Sequence, residues 1–197
     1  MVDMLNLVLP EHYKYIAALI TMRCNLDCSF CLNAFSSKHF NRRSFSEIGG
    51  KYWIEGLNRI LPKTGVPVTF SGGEPFLHRD FIDIVNNLKK DLEIDILTNL
   101  QWGVNGIERF INNVDPNRIN RNSPYPSIRV SYHPEQMGNG ASLIENVKKL
   151  RDAGFKIGIY AVQYPSPKQL EAITQMQFRC ANEDLFFRIK DFTGKYE

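Results

Sequence analysis

Short apolar runs alternate with amphipathic stretches along nearly the whole chain. Residues 16–22 (IAALITM) are continuously apolar and strand-sized, which predicts a strand buried on both faces. Ser44 and Glu47 have capping-box spacing ahead of a segment in which Trp53, Ile54, Leu57, Ile60 and Leu61 recur at helical intervals. Pro62 marks its stop, and Gly49 and Gly50 weaken its start. A second strand over 66–70 ends in Ser71-Gly72-Gly73-Glu74-Pro75, after which Phe81, Ile84, Val85 and Leu88 lie at helical spacing. The pattern continues with a strand over 94–98, a weaker helix around 107–111, a strand over 127–132 and a helix over 142–153 capped by Gly154. A strand over 156–162, a short helix over 167–176 and a strand over 185–190 complete it. The Asn-, Pro- and Arg-rich stretch 112–126 shows no periodicity and reads as a mobile surface loop.

Strands alternating with helices imply an α/β fold with parallel strands, because each helix must cross back over the sheet in a right-handed sense. Six strands predict an open, partial (β/α)6 barrel rather than eight closed units. By analogy with complete barrels, its site lies at the C-terminal ends of the strands. With 197 residues, 43% of them hydrophobic, the chain supports one sizeable core, and residues 1–197 read as a single domain. Only seven residues follow the sixth strand, too few for a closing helix. The expectation is a core lacking a C-terminal extension, either a fragment or a barrel closed by its substrate or a partner.

A formal charge of +3, dispersed along the chain, announces no nucleic-acid or membrane surface. Residues 1–9 lack the basic start, long apolar run and cleavage site of a secretion signal. No apolar run approaches the roughly 20 residues that cross a bilayer, so a soluble cytoplasmic protein is expected. In that setting four cysteines are reduced thiols or metal ligands rather than a disulfide framework.

Three of them, Cys24, Cys28 and Cys31, share the spacing C-x3-C-x2-C directly after the first strand. One short loop can fold three thiolates around an iron–sulfur cube and leave a fourth iron without a protein ligand. Zinc, with His39 or Cys180 as fourth ligand, is the alternative metal. Cys180 has no second cysteine within motif distance and reads otherwise as a small buried hydrophobe. In the turn Gly72-Gly73-Glu74-Pro75, two glycines let the backbone approach a ligand, and an acidic side chain sits beside carbonyls that can accept from an ammonium group. An ordinary tight turn is the other reading.

The residues CNLDCSFC, with Phe30 ahead of the last cysteine, followed one βα unit later by SGGEP, resemble the radical S-adenosylmethionine superfamily. The resemblance covers most of the chain, since that superfamily places its cysteine loop after the first strand of a partial barrel and its GGE turn after the second. It implies a [4Fe-4S] cluster on Cys24, Cys28 and Cys31 whose open iron is chelated by the amino and carboxylate groups of S-adenosylmethionine, with Gly72, Gly73 and Glu74 receiving the amino group. It further implies reductive cleavage of S-adenosylmethionine to a 5′-deoxyadenosyl radical, which takes hydrogen from a peptide, protein or small metabolite. The electron would come from a donor such as flavodoxin or ferredoxin. Thr98, Asn99 and Ser131 fall where relatives hold the ribose and methionine carboxylate, and Phe30 and Val162 where they flank adenine. Leu100 departs from the glycine that often follows the threonine–asparagine pair, so a different local turn is expected there. A glycyl-radical activating enzyme is an alternative within the family. A non-catalytic, zinc-stabilised binding module using His39 is the alternative of another class.

Two further features concern the substrate. His133, just past the fourth strand, is placed to bind substrate or exchange a proton, with a structural hydrogen bond as the competing role. Arg188 and Lys190 share one face of the last strand and Phe187 and Ile189 the other. If the apolar face meets the helices, the cations point into the barrel and suit a carboxylate or phosphate. Protection of a solvated sheet edge is the alternative.

Overall fold

The computed structural model describes residues 6–31 and 47–193. Its strands are β1 (Ile16–Thr21), β2 (Val68–Gly72), β3 (Ile94–Thr98), β4 (Ile128–Tyr132), β5 (Ile157–Gln163) and β6 (Phe187–Asp191). They lie in that order in one six-stranded sheet, every neighbouring pair parallel, and the two end strands do not meet. The result is the open partial barrel expected from the alternation. The helices are α1 (Gly50–Leu57), α2 (Phe81–Asn87), α3 (Gly103–Asn113), α4 (Pro116–Ile119), α5 (Pro134–Met137), α6 (Ala141–Asp152) and α7 (Pro167–Asn182), with a 3-10 turn at Pro75–Leu77.

Period-two alternation decides what each strand shows to either side. Ile94, Ile96, Ile128, Val130, Ile159 and Ala161 point outward and join the core with Phe81, Ile84, Ile107, Phe110, Leu143 and Ile173 from the helices. The intervening residues Asp95, Leu97, Arg129, Ser131, Tyr160 and Val162 therefore face the lumen. Cys180 of α7 is fully buried in the helical layer, and burial pushes its thiol up to about 11, as suits a core residue.

Helix α7, expected to be short and to end at residue 176, runs on to Asn182, and three further elements differ from expectation. The first helix is shorter, running only from Gly50 to Leu57. Ser44 lies outside the described residues, and Glu47 does not cap this helix but binds Thr21 and Arg23. Asp80 caps instead: its carboxylate accepts from Gly50 N at 2.8 Å, and a Cβ at Gly50 would stand 2.5 Å from that of Asp80. Beyond Leu57 the chain leaves the helix because Ile60 bridges in parallel to Leu7, with Leu61 N donating to Leu7 O at 2.9 Å.

The stretch 112–126 is not a loose surface loop. It contains α4, started by Pro116 and capped by Asp115, which accepts from Asn117 N at 2.9 Å. Ile119 is buried, and Arg118 donates to the carbonyls of Leu88, Lys89 and Leu92, anchoring the segment under β3. The third difference is the short helix α5 directly after β4, which lacks hydrophobic periodicity and has Pro134 at its start.

Candidate active site

At the C-terminal ends of the strands lies one cavity of about 460 Å³. It is lined by Cys24, Cys28, Phe30 and Cys31 of the cysteine loop, by Gly72, Gly73 and Glu74, by Thr98 and Asn99, and by Ser131, His133 and Val162. Each of these residues was singled out from sequence. Leu19, Met22, Leu26 and Leu97 add apolar wall that sequence reasoning did not assign.

The glycine turn is built around the entry to the cysteine loop. A bulge between Leu19 and Thr21 bends the end of β1 toward β2, so that Gly73 N donates to Thr21 O at 2.7 Å and Glu74 N to Arg23 O at 2.8 Å. Gly72 takes φ +123°, and a Cβ there would lie 2.2 Å from Thr21 O; one on Gly73 would lie 2.0 Å from Arg23 O. The glycines are thus required for backbone to pass backbone, a stronger constraint than approach to a ligand. Arg23 itself is clamped by Glu47, Nε to Oε1 at 2.8 Å and Nη2 to Oε2 at 2.9 Å, and Thr21 donates to the same carboxylate. Burial opposes the charge on Glu47, but the hydrogen bonds from Arg23 and Thr21 outweigh it and hold the carboxyl below its usual range.

Glu74, 1% exposed, joins the ends of β2 and β3. Its carboxylate accepts from Thr98 Oγ1 at 2.8 Å, Asn99 N at 2.7 Å, Trp102 Nε1 at 2.9 Å and Phe76 N at 3.3 Å. Burial nevertheless pushes its pKa up against these bonds. The side chain is occupied in shaping the turn after β3, where Leu100, fully buried, takes φ +56°. The departure from glycine therefore does not abolish a left-handed turn. Thr98 Oγ1 accepts from Leu100 N and Asn99 Oδ1 from Gln101 N, both at 2.8 Å, and hold it in place.

The cysteine loop is held from both sides. On one, Asn99 Nδ2 donates to Asn25 Oδ1 at 2.8 Å and approaches Cys24 Sγ at 3.7 Å, while Asn25 donates to Gln101 O at 2.7 Å. On the other, Glu135 of α5 accepts from Ser29 N at 2.7 Å and Ser29 Oγ at 2.9 Å, and Gln136 donates to Asp27 O at 3.1 Å. Cys28 is buried, and its thiol is pushed up to about 12 by burial and by the neighbouring Cys31, Glu135, Cys24 and Asp27. A thiolate there would require a cationic centre beside it. Among the described residues no three His, Cys, Asp or Glu side chains are gathered to hold one metal ion. Cys24, Cys28 and Cys31 all line the same cavity, and three thiols on one loop are the donors that an iron–sulfur cluster would take.

Phe30 stacks on Tyr164 with centroids 4.8 Å apart and lies 5.5 Å from His133 and 6.4 Å from Phe192. An aromatic wall thus closes the β5–β6 side, where Val162 also faces the cavity. His133 is half-buried, and burial lowers its pKa against the pull of Glu135. Its Nδ1 is buried without a partner among the described residues, so the structural hydrogen bond expected as an alternative is not made at that nitrogen. Arg188 and Lys190 stand apart from the cavity lining. They pair in register with Tyr160 and Val162, on the lumen side of β6, and Lys190 Nζ lies 5.1 Å over the Tyr160 ring.

Sequence reasoning missed Glu47, Asn25, Trp102, Glu135, Gln136, Tyr164 and Phe192. All but Glu47 follow a strand end by a few residues, on the edge already identified as functional. A uniform search of those loops for polar and aromatic side chains would have found them. Glu47 reaches β1 from across a sequence separation of 26 residues and has no such signal.

The model of the Radical SAM superfamily matches residues 19–176. The chain is 36% identical over 92 residues to the probable GTP 3′,8-cyclase of Methanopyrus kandleri, covering 46% of this chain and 28% of that protein. It is 22% identical over 191 residues to the GTP 3′,8-cyclase of Haemophilus ducreyi, covering 89% and 49% respectively. The solved structure of native anSMEcpe with bound AdoMet and the Kp18Cys peptide superimposes with a TM-score of 0.63 at 16% identity, over 93% of this chain and 54% of that one, which shows a shared partial-barrel fold. The chain spans about half the length, or less, of these proteins. The zinc-stabilised module gains no support from them, and its ligand His39 lies outside the described residues. No helix among the described residues is long and apolar enough to cross a membrane.

Proposed function

Since the chain belongs to the radical SAM superfamily and is a radical SAM enzyme, we propose that Cys24, Cys28 and Cys31 carry a [4Fe-4S] cluster at which S-adenosylmethionine is reductively cleaved. The observation that carries this reading is the convergence of three cysteine thiols, the Gly72-Gly73-Glu74 turn and the ends of β3, β4 and β5 on one cavity. Membership implies S-adenosylmethionine and an iron–sulfur cluster, and the cavity has soft sulfur donors at one end and an apolar and aromatic wall at the other.

When bound, the cluster and S-adenosylmethionine would supply one-electron cleavage of a carbon–sulfur bond, releasing methionine and a 5′-deoxyadenosyl radical that abstracts hydrogen from the substrate. The protein's part is placement and exclusion. Backbone carbonyls of the glycine turn receive the ammonium group, while buried Glu74 keeps that turn and the β3 end in register. Asn99 and Ser131 offer polar contacts to the ribose and carboxylate, with Thr98 setting the turn that presents Asn99. Phe30 and Val162 bracket the adenine, and the Phe30–Tyr164 stack fixes the orientation of that wall. His133, whose pKa burial lowers, faces the same space with Nδ1 able to bind substrate or exchange a proton. An external one-electron donor of the flavodoxin or ferredoxin type is required. The curated relatives act on GTP by name, but over the aligned length no substrate transfers, and no observation favours a glycyl-radical activating role.

Anaerobic reconstitution tests the reading. It should give about four irons and four sulfides per chain, and dithionite with S-adenosylmethionine should then release methionine and 5′-deoxyadenosine. Cys24→Ala and Cys31→Ala should abolish both cluster and cleavage. An intact four-iron cluster that leaves S-adenosylmethionine uncleaved would falsify it.

A further inference from the structure

Below the cavity the lumen carries more positive charge than its own carboxylates balance. Arg121 and Arg129 share buried Asp95, at 2.8 and 3.0 Å, and Arg121 also reaches Glu93 at 3.7 Å. That leaves Arg188 and Lys190 without a carboxylate partner among the described residues. Register brings these groups together: Ser131, Tyr160 and Arg188 are successive partners across β4, β5 and β6, and Val162 pairs with Lys190. Ser131 and Val162 line the cavity, so the cationic strip borders it directly.

Two polar atoms in this strip are incomplete. Tyr160 is only 6% exposed, yet its hydroxyl has no hydrogen-bond partner among the described residues, and neither does the buried Nε of Arg129. Buried polar atoms without partners cost free energy; Arg129 Nε can only donate and the Tyr160 hydroxyl can donate, so one acceptor group would satisfy both. Lys190 and Arg188 are exposed on the edge strand β6, but the Lys190 ammonium lies back over the Tyr160 ring on the lumen side rather than extending into bulk solvent. Burial, together with the charges of Arg129 and Arg188, lowers its pKa, a repulsion that an anion would relieve.

We infer that the substrate carries an anionic group, a phosphate or a carboxylate, which docks on the lumen face of β4, β5 and β6 against Arg129, Tyr160, Arg188 and Lys190. This rests on the reading of the adjoining cavity as the reaction chamber. The guanidinium groups and the ammonium supply charge, the tyrosine hydroxyl a directional donor, and the anchored substrate extends past Ser131 toward the cofactor.

The test is calorimetric titration of the reconstituted, unreduced protein with inorganic phosphate in one arm and succinate in the other. Saturable binding of at least one is expected, the tighter of the two naming the group. Arg188→Gln and Lys190→Gln should each weaken it about tenfold, the effect of losing one charged hydrogen bond. Tyr160→Phe, which keeps the ring, should weaken it about threefold, the smaller effect of losing a neutral one. Lys168→Gln removes a charge from the exposed side of α7 and should leave binding unchanged. The inference is overturned if neither anion saturates, if Arg188→Gln with Lys190→Gln binds like the parent, or if Lys168→Gln weakens binding equally. Cleavage of S-adenosylmethionine by the parent protein is scored separately. Anion binding without cleavage supports the anion site and rejects the catalytic reading, whereas cleavage without anion binding overturns this inference alone.

Discussion

Glu135 accepts two hydrogen bonds from Ser29, one from its backbone N–H at 2.7 Å and one from its hydroxyl at 2.9 Å, and so ties the cysteine loop to the end of β4. The pair lies at the surface, where its net worth to folding is small, but Ser29 directly follows Cys28. Glu135→Ala should lower stability by about 1 kcal/mol or less. The same loosening should shorten cluster lifetime about threefold to fivefold, the rate equivalent of that energy. Iron release followed optically under anaerobic conditions checks this, and an unchanged lifetime would show that the loop does not depend on this tie.

Gly73 and Gly56 are predicted to respond to alanine in opposite directions. At Gly73 the new methyl group would sit 2.0 Å from Arg23 O, a backbone atom that cannot rotate away. Gly73→Ala should cost at least about 2 kcal/mol by forcing the turn off the cysteine loop. At Gly56, in helical backbone, nothing lies within 4 Å, and Gly56→Ala should gain about 0.5–1 kcal/mol. Urea denaturation of both variants decides it; equal responses would refute the close-approach account.

Leu100 sets burial against backbone strain. Its φ of +56° disfavours a residue bearing a Cβ by about 1–2 kcal/mol, while removing a fully buried leucine costs about 2–5 kcal/mol. Burial wins, so both Leu100→Gly and Leu100→Ala should destabilise. Glycine relieves the strain and alanine keeps it, so Leu100→Gly should be the milder change, the reverse of the usual order in regular structure. Melting temperatures of the two variants give the ranking, and an alanine variant more stable than the glycine one would contradict the left-handed turn.

Burial depresses the pKa of His133 in the folded state below the ordinary imidazole value of about 6.5. The unfolded chain therefore binds the proton more readily, and stability rises with pH between the folded and unfolded values. The contribution is fully present above the unfolded value and is lost as pH falls through the depressed folded one. Cluster-free protein should lose stability on acidification through this window, and His133→Phe should flatten that part of the profile. Parallel profiles for the two proteins would place the imidazole in solvent.

Where local chemistry sufficed, the sequence was legible. The strand β3 and the outward faces of β4 and β5 followed from short apolar runs whose neighbours were helical, and the cysteine and glycine motifs stood at strand ends because the apolar runs stop there. Errors arose where a distant partner overrode a local signal. Ser44–Glu47 spacing suggested a cap, but Arg23 competes for Glu47 with two charged hydrogen bonds, and Asp80 caps the helix from across the chain. The segment around Arg118 looked loose because the carbonyls that anchor it belong to residues 88–92.

The sequence by itself determined the alternating α/β architecture and the set of chemical groups at its functional edge, since periodicity and motif spacing are local properties. Tertiary structure alone decided how those groups are held. Gly72 and Gly73 are required by a crossing of two backbones, Glu74 is occupied by four donors from neighbouring turns, and Glu135 and Asn99 clasp the cysteine loop from opposite sides. The physical reason is that hydrogen bonds and charge balance between strand ends depend on the stagger of parallel strands, which no single segment encodes.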